Sequence, residues 1–159
     1  MTRSKRPPLA DERTTVTAFL QWHRETLELK CLGLSAGQLA SRPLAATGLS
    51  LLGLLRHAAE SERFWFRQVL AGSAGSPLFS DAFDVAGASV PEAWAAWRAE
   101  VAFADQFVSA AVSLDVTGDE PGEGPVSLRW VLMHMIEEYA RHNGHADLLR
   151  EQIDGTTGL

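Results

Sequence analysis

The sequence predicts an all-α fold, specifically a four-helix bundle. Four long segments place apolar residues at helical spacing, and stretches rich in glycine and proline separate them. No segment of useful length alternates between apolar and polar residues as a strand does, and no internal repeat occurs. Four helices of about 20 residues joined by loops are typical of a bundle. The loop lengths leave open whether neighbouring helices run up-down-up-down or include a crossover.

The first two long helices have clear start or stop signals. The first is predicted from about Asp11 to Cys31, with apolar residues at helical spacing. A short helical turn is predicted next, because Ser35 and Gln38 stand at the spacing of a capping box. The second long helix is predicted from about Ser50 to Ala71, because Gly72 follows and opens a loop rich in small residues.

The last two long helices are delimited in the same way. Ser89 is the predicted N-cap of the third helix, which has Pro91 in its first turn and extends to about Ser113. The stretch DVTGDEPGEGP combines glycines, prolines and acids, and we expect a solvated loop there. Ser127 is the predicted N-cap of the fourth helix, and Gly155 is its predicted C-terminal stop.

Composition limits the classes of function. The 159 residues fit one domain of ordinary size, and no run approaches the ~18 apolar residues of a membrane span. The net charge of −6 argues against nucleic acid as a partner, because phosphate binding needs clustered cations. The single cysteine, Cys31, fits a reducing, cytoplasmic compartment and is expected to be a packed core residue. We expect residues 1–9 to be a flexible tail, since no apolar segment follows this basic start, and residues 10–155 to be the single bundle domain.

The fourth helix contains an unusual group of histidines and acids. The stretch HMIEEYARHNGHAD, residues 134–147, holds three of the five histidines. At about 100° per residue, His142 falls within the core-facing stripe that includes Met135 and Tyr139, and Glu138 falls at its margin. His134 and His145 turn toward solvent. Glu138 and His142 are one turn apart, so their side chains can converge on one point, as paired metal ligands do.

A third ligand is expected from a facing helix. His57 is the histidine of the second long helix, and it lies at the edge of that helix's apolar stripe. Carboxylate and imidazole groups are good ligands for divalent first-row metals. Glu62 lies almost at the centre of the same stripe, where a leucine is expected. Glu62 is therefore a candidate for a second carboxylate ligand or for a hydrogen-bond acceptor that orients a ligand imidazole.

Purely structural interpretations account for the same residues one at a time. A histidine at a helix edge can serve packing, the Glu138–His142 pair can be a surface pair, and Glu62 can form an ion pair with an arginine. His23 has no obvious partner at ligand spacing and is interpreted as structural. The convergence of an acid and a histidine on one helix with a histidine on another favours a metal site.

Two stretches resemble a known family. LLGLLRHAAESERFWF and HMIEEYARHNGHADLLREQIDG are similar to the actinobacterial branch of the DinB-like (YfiT-like) superfamily, over nearly the whole chain. The resemblance implies a four-helix bundle that holds a divalent metal, often zinc or nickel, through three side chains. The matching residues are His57, Glu138 and His142, since HNGH aligns with the usual HRGQ. Most members have histidine at the Glu138 position, and a glutamate there resembles the mycothiol-using maleylpyruvate isomerase branch.

Three functions remain open at this point. The first is a metal-dependent transferase or isomerase that uses a low-molecular-weight thiol such as mycothiol and an unknown electrophile, with Glu62, Tyr139 or His145 moving a proton. The second is a metal-dependent hydrolase that activates water. The third is a non-enzymatic helical domain whose polar cluster is structural. A homodimer is plausible for a bundle of this size.

Overall fold

The computed structural model describes residues 2–158, and these are mostly helical. The residues at which the elements begin and end are as follows: α1 Glu12–Cys31, α2 Ala36–Ala40, α3 Leu51–Glu62, a π-helical segment Arg63–Leu70, α4 Val90–Ala110, β1 Thr117–Glu120, β2 Gly124–Ser127 and α5 Leu128–Asp154. None of the described helices is long and apolar enough to cross a membrane.

The helix ends follow local capping signals. The side chains of Ser50, Ser89 and Ser127 each accept a hydrogen bond from a backbone N–H of the first turn of α3, α4 and α5. The predicted capping box at Ser35 is present in full at the start of α2. Gly155 adopts a left-handed conformation with φ of 78° and ends α5, as predicted.

The second long helix continues to its predicted end but changes its winding. After Glu62 the hydrogen bonding becomes π-helical, and the bond from Ala71 N to Phe66 O spans five residues. The residues that turn inward are therefore the pairs Trp65 and Phe66, then Val69 and Leu70. A wheel drawn at about 100° per residue does not represent this segment, because each turn contains more residues than in an α-helix.

The stretch DVTGDEPGEGP is largely exposed to solvent, as expected, but the expectation of a loop was wrong for most of it. Residues 117–120 and 124–127 pair as an antiparallel hairpin, with Gly118 opposite Val126. The strands are too short for alternation to be visible in the sequence. Gly118 lies so close to the π-helical segment that a Cβ there would sit 2.1 Å from Val69 O. Gly122 and Gly124 supply the left-handed conformations of the turn, with φ of 85° and 98°.

The long helices pack around one apolar core. Helix α1 packs mainly against α5, and α3 packs against both α4 and α5. The inward residues predicted for α5, including Val131, Met135, Tyr139 and Leu149, are buried. Described residues 2–9 have no helix or strand, and the Ser4 backbone N–H and hydroxyl donate to the Glu25 carboxylate of α1. Met1 lies outside the described residues, and the flexibility of the predicted tail and the domain bounds stay predictions.

Candidate metal centre

Helices α3 and α5 bring His57, Glu138 and His142 together. The ligand atoms of these three side chains all lie within 4.8 Å of one another. His57 Nε2 is 3.6 Å from Glu138 Oε2, and His142 Nε2 is 3.4 Å from the same oxygen. The two imidazole rings meet edge to face, with their centroids 4.6 Å apart. The one-turn spacing on α5 produces the Glu138–His142 pair, and the packing of α3 against α5 adds His57.

The donor set and the separations fit a divalent cation. Two imidazole nitrogens and one carboxylate oxygen are a set that zinc, nickel and similar ions accept. Ligand atoms bonded at about 2.1 Å to a tetrahedral ion lie about 3.4 Å apart. The distances from Glu138 Oε2 to the nitrogens of His57 and His142 are close to this value. The same three residues could therefore hold a metal with only small side-chain adjustments.

The site lies at the rim of the core. The side chains of His57, Glu138 and His142 are 29%, 23% and 19% exposed, so each is reached by solvent on one side. On the inner side they border a cavity of about 10 Å³ whose other walls are mainly apolar, including Leu27, Leu54, Ala58 and Met135. A cavity of that volume holds at most about one water molecule. Any larger ligand must approach from the solvent side.

The pKa of His142 favours the neutral imidazole, the form that can bind a metal. Burial and the neighbouring His57 lower the pKa of His142 to about 4, although Glu138 raises it in part. At neutral pH the imidazole is therefore uncharged, and one of its two ring nitrogens has a lone pair that can bind a metal. His142 Nδ1 lies 3.4 Å from His145 Nδ1, and the tautomers of the two rings decide which nitrogen donates. His145 thus touches one of the three candidate ligands.

Glu62 and Tyr139 belong to a buried network next to this site. The Glu62 carboxylate is fully buried and accepts two hydrogen bonds of 2.7 Å from Arg24 of α1. It also accepts a hydrogen bond of 2.9 Å from the Tyr139 hydroxyl. The same hydroxyl accepts a hydrogen bond of 2.8 Å from Trp97 Nε1 of α4. Burial and the charge of Glu62 raise the pKa of Tyr139 well above its usual value. The ion pair with an arginine, which the sequence left open for Glu62, is formed with Arg24. Glu62 is not one of the three residues that come together as candidate metal ligands.

Sequence reasoning missed Arg24, Trp97 and Phe83 as neighbours of the site. Phe83, in the loop before α4, stacks on His57 with ring centroids 5.3 Å apart. A signal for Arg24 was present, since it stands four residues after Leu20 and three before Leu27 on the buried side of α1. For Phe83 and Trp97 the sequence gives no comparable signal, because their contacts depend on how the loop and α4 pack.

The two remaining histidines of interest lie apart from the metal group. His134 stacks on Trp130 with ring centroids 5.0 Å apart and nearly parallel planes. His23 of α1 contacts Asn143 of α5 through its ring nitrogen and its backbone oxygen. Neither residue belongs to the group of His57, Glu138 and His142 that the described residues form.

Comparison with known proteins gives one family and one fold. The model of a family described as mycothiol-S-transferase matches residues 15–155. The crystal structure of a conserved protein from Enterococcus faecalis superposes with a TM-score of 0.67 and 16% sequence identity, covering 93% of this chain and 100% of that chain. At that identity the similarity shows a shared fold alone. No curated protein matches the sequence significantly.

Proposed function

From the premise that the chain belongs to the mycothiol-S-transferase family of the DinB-like superfamily, we propose that it transfers a low-molecular-weight thiol such as mycothiol to a small electrophile. The observation that carries the proposal is the convergence of His57, Glu138 and His142 from two helices within 4.8 Å. The family match makes a thiol substrate a better fit than water, and so favours a transferase over a hydrolase.

We propose that His57, Glu138 and His142 hold a divalent metal, with zinc or nickel as the expected ions. Three protein ligands leave a position open, and a metal there would lower the pKa of a bound thiol so that it reacts as a thiolate at neutral pH. The Glu138 carboxylate lies nearly equidistant from both imidazoles and fixes the two rings relative to each other. Phe83 supports His57 from the outside.

The residues around the site prepare it for this chemistry. The apolar walls of the inner cavity exclude bulk water from the back of the ligand group. We propose that His145, which is half-buried and contacts His142, accepts the proton that the thiol releases. For Tyr139 and Glu62 a role in proton transfer stays a prediction; their hydrogen bonds also hold α5 against α1, α3 and α4.

The arrangement of the long helices as a four-helix bundle is also an inference. We infer that α1, α3 with its π-helical extension, α4 and α5 form the four-helix bundle, supported by the packing of α1 on α5 and of α3 on α4 and α5. A homodimer stays a prediction, which sedimentation of the purified protein would test.

Metal content and thiol consumption together test the proposed function. Purified protein offered zinc or nickel is expected to retain on the order of one ion per chain and to consume mycothiol when an electrophile is added. Glu138→Ala and His57→Ala should each lower metal affinity by roughly tenfold or more. Glu137→Ala is the matched control, because that neighbouring carboxylate is exposed and pairs with Arg141. Protein that stays free of metal under these conditions would refute the proposal.

A further inference from the structure

An open groove begins at His57 and follows the outer side of α3 and the π-helical segment as far as Gln68. Its volume is about 320 Å³, and the loop at Gly75 and Pro77 forms its opposite wall. His57 and Ser61 border both this groove and the small cavity inside the site. Because the cavity has room for about one water molecule, a substrate that reaches the metal group must lie outside it, and the groove is large enough for a small ligand.

The loop wall is fastened to the helix at three points. Phe79 N donates a hydrogen bond of 2.7 Å to Glu60 Oε1. Two helix side chains also donate to backbone oxygens of the loop: Arg63 Nε to Ser76 O at 3.1 Å, and Gln68 Nε2 to Gly75 O at 3.3 Å. The groove is therefore formed before any ligand arrives, which lowers the entropic cost of binding.

The floor of the groove is aromatic. The rings of Phe64 and Trp65 meet edge to face with centroids 5.0 Å apart. Trp65 is itself held from behind by rings of α5, with centroid distances of 5.2 Å to Trp130 and 4.8 Å to His134. Trp65 is eight residues from His57, about 12 Å along a helix at 1.5 Å per residue. The floor therefore binds the part of the electrophile that is remote from the reacting carbon, and that carbon has to lie at the His57 end of the groove, which Glu60 and Ser61 line.

The charges around the groove disfavour anions. Among the described residues no lysine or arginine lines it, and Glu60 contributes a carboxylate. The Arg63 guanidinium lies behind Gly75 and donates a hydrogen bond of 2.9 Å to Glu100, a carboxylate that Arg67 shares, and neither arginine lines the groove. A divalent ion with one carboxylate and one thiolate ligand has no formal net charge, and the chain as a whole carries −6. An anionic group in the groove would meet the Glu60 carboxylate, and none of the described lysines and arginines lines the groove to pair with it.

We propose that this groove binds the electrophile, and that the electrophile is an uncharged aromatic compound rather than a carboxylate or phosphate. The inference rests on the proposed function, since it names the second substrate of that site. For an aryl chloride, the thiolate sulfur forms a bond to the ring carbon, chloride leaves with the electron pair of the C–Cl bond, and the thiol proton is released to solvent.

Binding without metal or thiol tests the groove by itself. We expect the metal-free full chain to bind 1,3-dinitrobenzene at least tenfold more tightly than 3,5-dinitrobenzoate, measured by tryptophan fluorescence quenching and calorimetry. Phe64→Ala should raise the Kd for 1,3-dinitrobenzene at least fivefold. Glu60→Gln should reduce the ratio of the two Kd values, 3,5-dinitrobenzoate over 1,3-dinitrobenzene, at least threefold. Phe107→Ala, a half-buried phenylalanine of α4 outside the groove, is the control and should change neither. Equal binding of the two rings, or a folded Phe64→Ala protein that binds like the wild type, overturns the inference.

Turnover separates this inference from the proposed function. Metal-loaded protein with mycothiol is offered 1-chloro-2,4-dinitrobenzene or 4-chloro-3,5-dinitrobenzoate, and each rate is divided by the uncatalysed rate with the same thiol. We expect kcat/KM to be at least tenfold higher for the uncharged chloride. Equal values for the two chlorides overturn the inference and leave the proposed function standing. If neither chloride is turned over but another small electrophile is, the inference is overturned and the proposed function stands. If no electrophile consumes mycothiol while the binding preference is intact, the proposed function is overturned and the groove remains a site for uncharged aromatic rings.

Discussion

Replacing Glu62 by glutamine tests whether the buried network holds the helices together. Glu62 is fully buried, and its two oxygens accept three hydrogen bonds, two from Arg24 and one from Tyr139. Glutamine keeps one acceptor oxygen but places an NH₂ group against a guanidinium N–H. The remaining counter-charge of Arg24 is then Asp105, whose side chain is 60% exposed. Burial by itself would lower the pKa of Arg24, and Glu62 is the main group that raises it.

The expected cost is about 3–5 kcal/mol of unfolding free energy, the range for leaving one buried charge without its partner. For a domain of this size each kcal/mol corresponds to roughly 2–4 °C in Tm, so Tm should fall by about 6–20 °C. Urea unfolding followed by circular dichroism gives the free energy, and a thermal scan gives Tm. Glu60→Gln is the matched control, because the same chemical change two residues away affects a half-buried carboxylate and should cost about 1 kcal/mol or less.

Two results bear on the reasoning. If the unfolding free energy of Glu62→Gln were within about 1 kcal/mol of the wild-type value, Glu62 would not be needed to compensate the buried charge of Arg24, and the reasoning would be refuted. The double variant Arg24→Met with Glu62→Leu should recover part of the loss, since removing both charges leaves neither one unpaired. A double variant that is less stable than Glu62→Gln would contradict this explanation.

Four further predictions follow from the structure. Gly118→Ala should destabilise the protein by about 1–3 kcal/mol in urea unfolding, because the added Cβ would meet Val69 O at 2.1 Å. Burial raises the pKa of Cys31 to about 12 from a usual value of 9.0, so the folded protein should resist alkylation of this thiol at pH 9. The free energy of unfolding should fall as pH rises above about 9, because the thiol of the unfolded chain loses its proton before the buried thiol does. Cys31→Ala should remove the part of this fall that comes from the thiol. Asp11→Ala should lower the Tm measured in a thermal scan, because the Asp11 side chain accepts the hydrogen bond from Thr14 N that caps α1. Zinc at 100 times its Kd should add about 2.7 kcal/mol to the wild type in a thermal shift assay, an increase that a chelator reverses and that Glu138→Ala lacks.

Much of the helical architecture could be read from local signals. Serines at Ser50, Ser89 and Ser127 cap helices where they were expected, and Gly155 ends the last one. A cap acts within one turn of its own residue, so the sequence contains the whole interaction. The hairpin and the π-helical segment were not foreseen, because each depends on contacts between distant residues, such as Gly118 on Val69.

The sequence by itself determined that Glu138 and His142 share one face of a helix, because helical geometry fixes the direction of residues one turn apart. It also offered His57 of one other helix as the third partner, with Glu62 of the same helix as a further candidate ligand. Only the tertiary structure decided that His57 Nε2 lies 3.6 Å from Glu138, that Arg24 neutralises Glu62, and that an aromatic groove begins at the site. Those outcomes depend on how far each helix is rotated and shifted against its neighbours, and that is set by the packing of the entire core rather than by any local stretch of the chain.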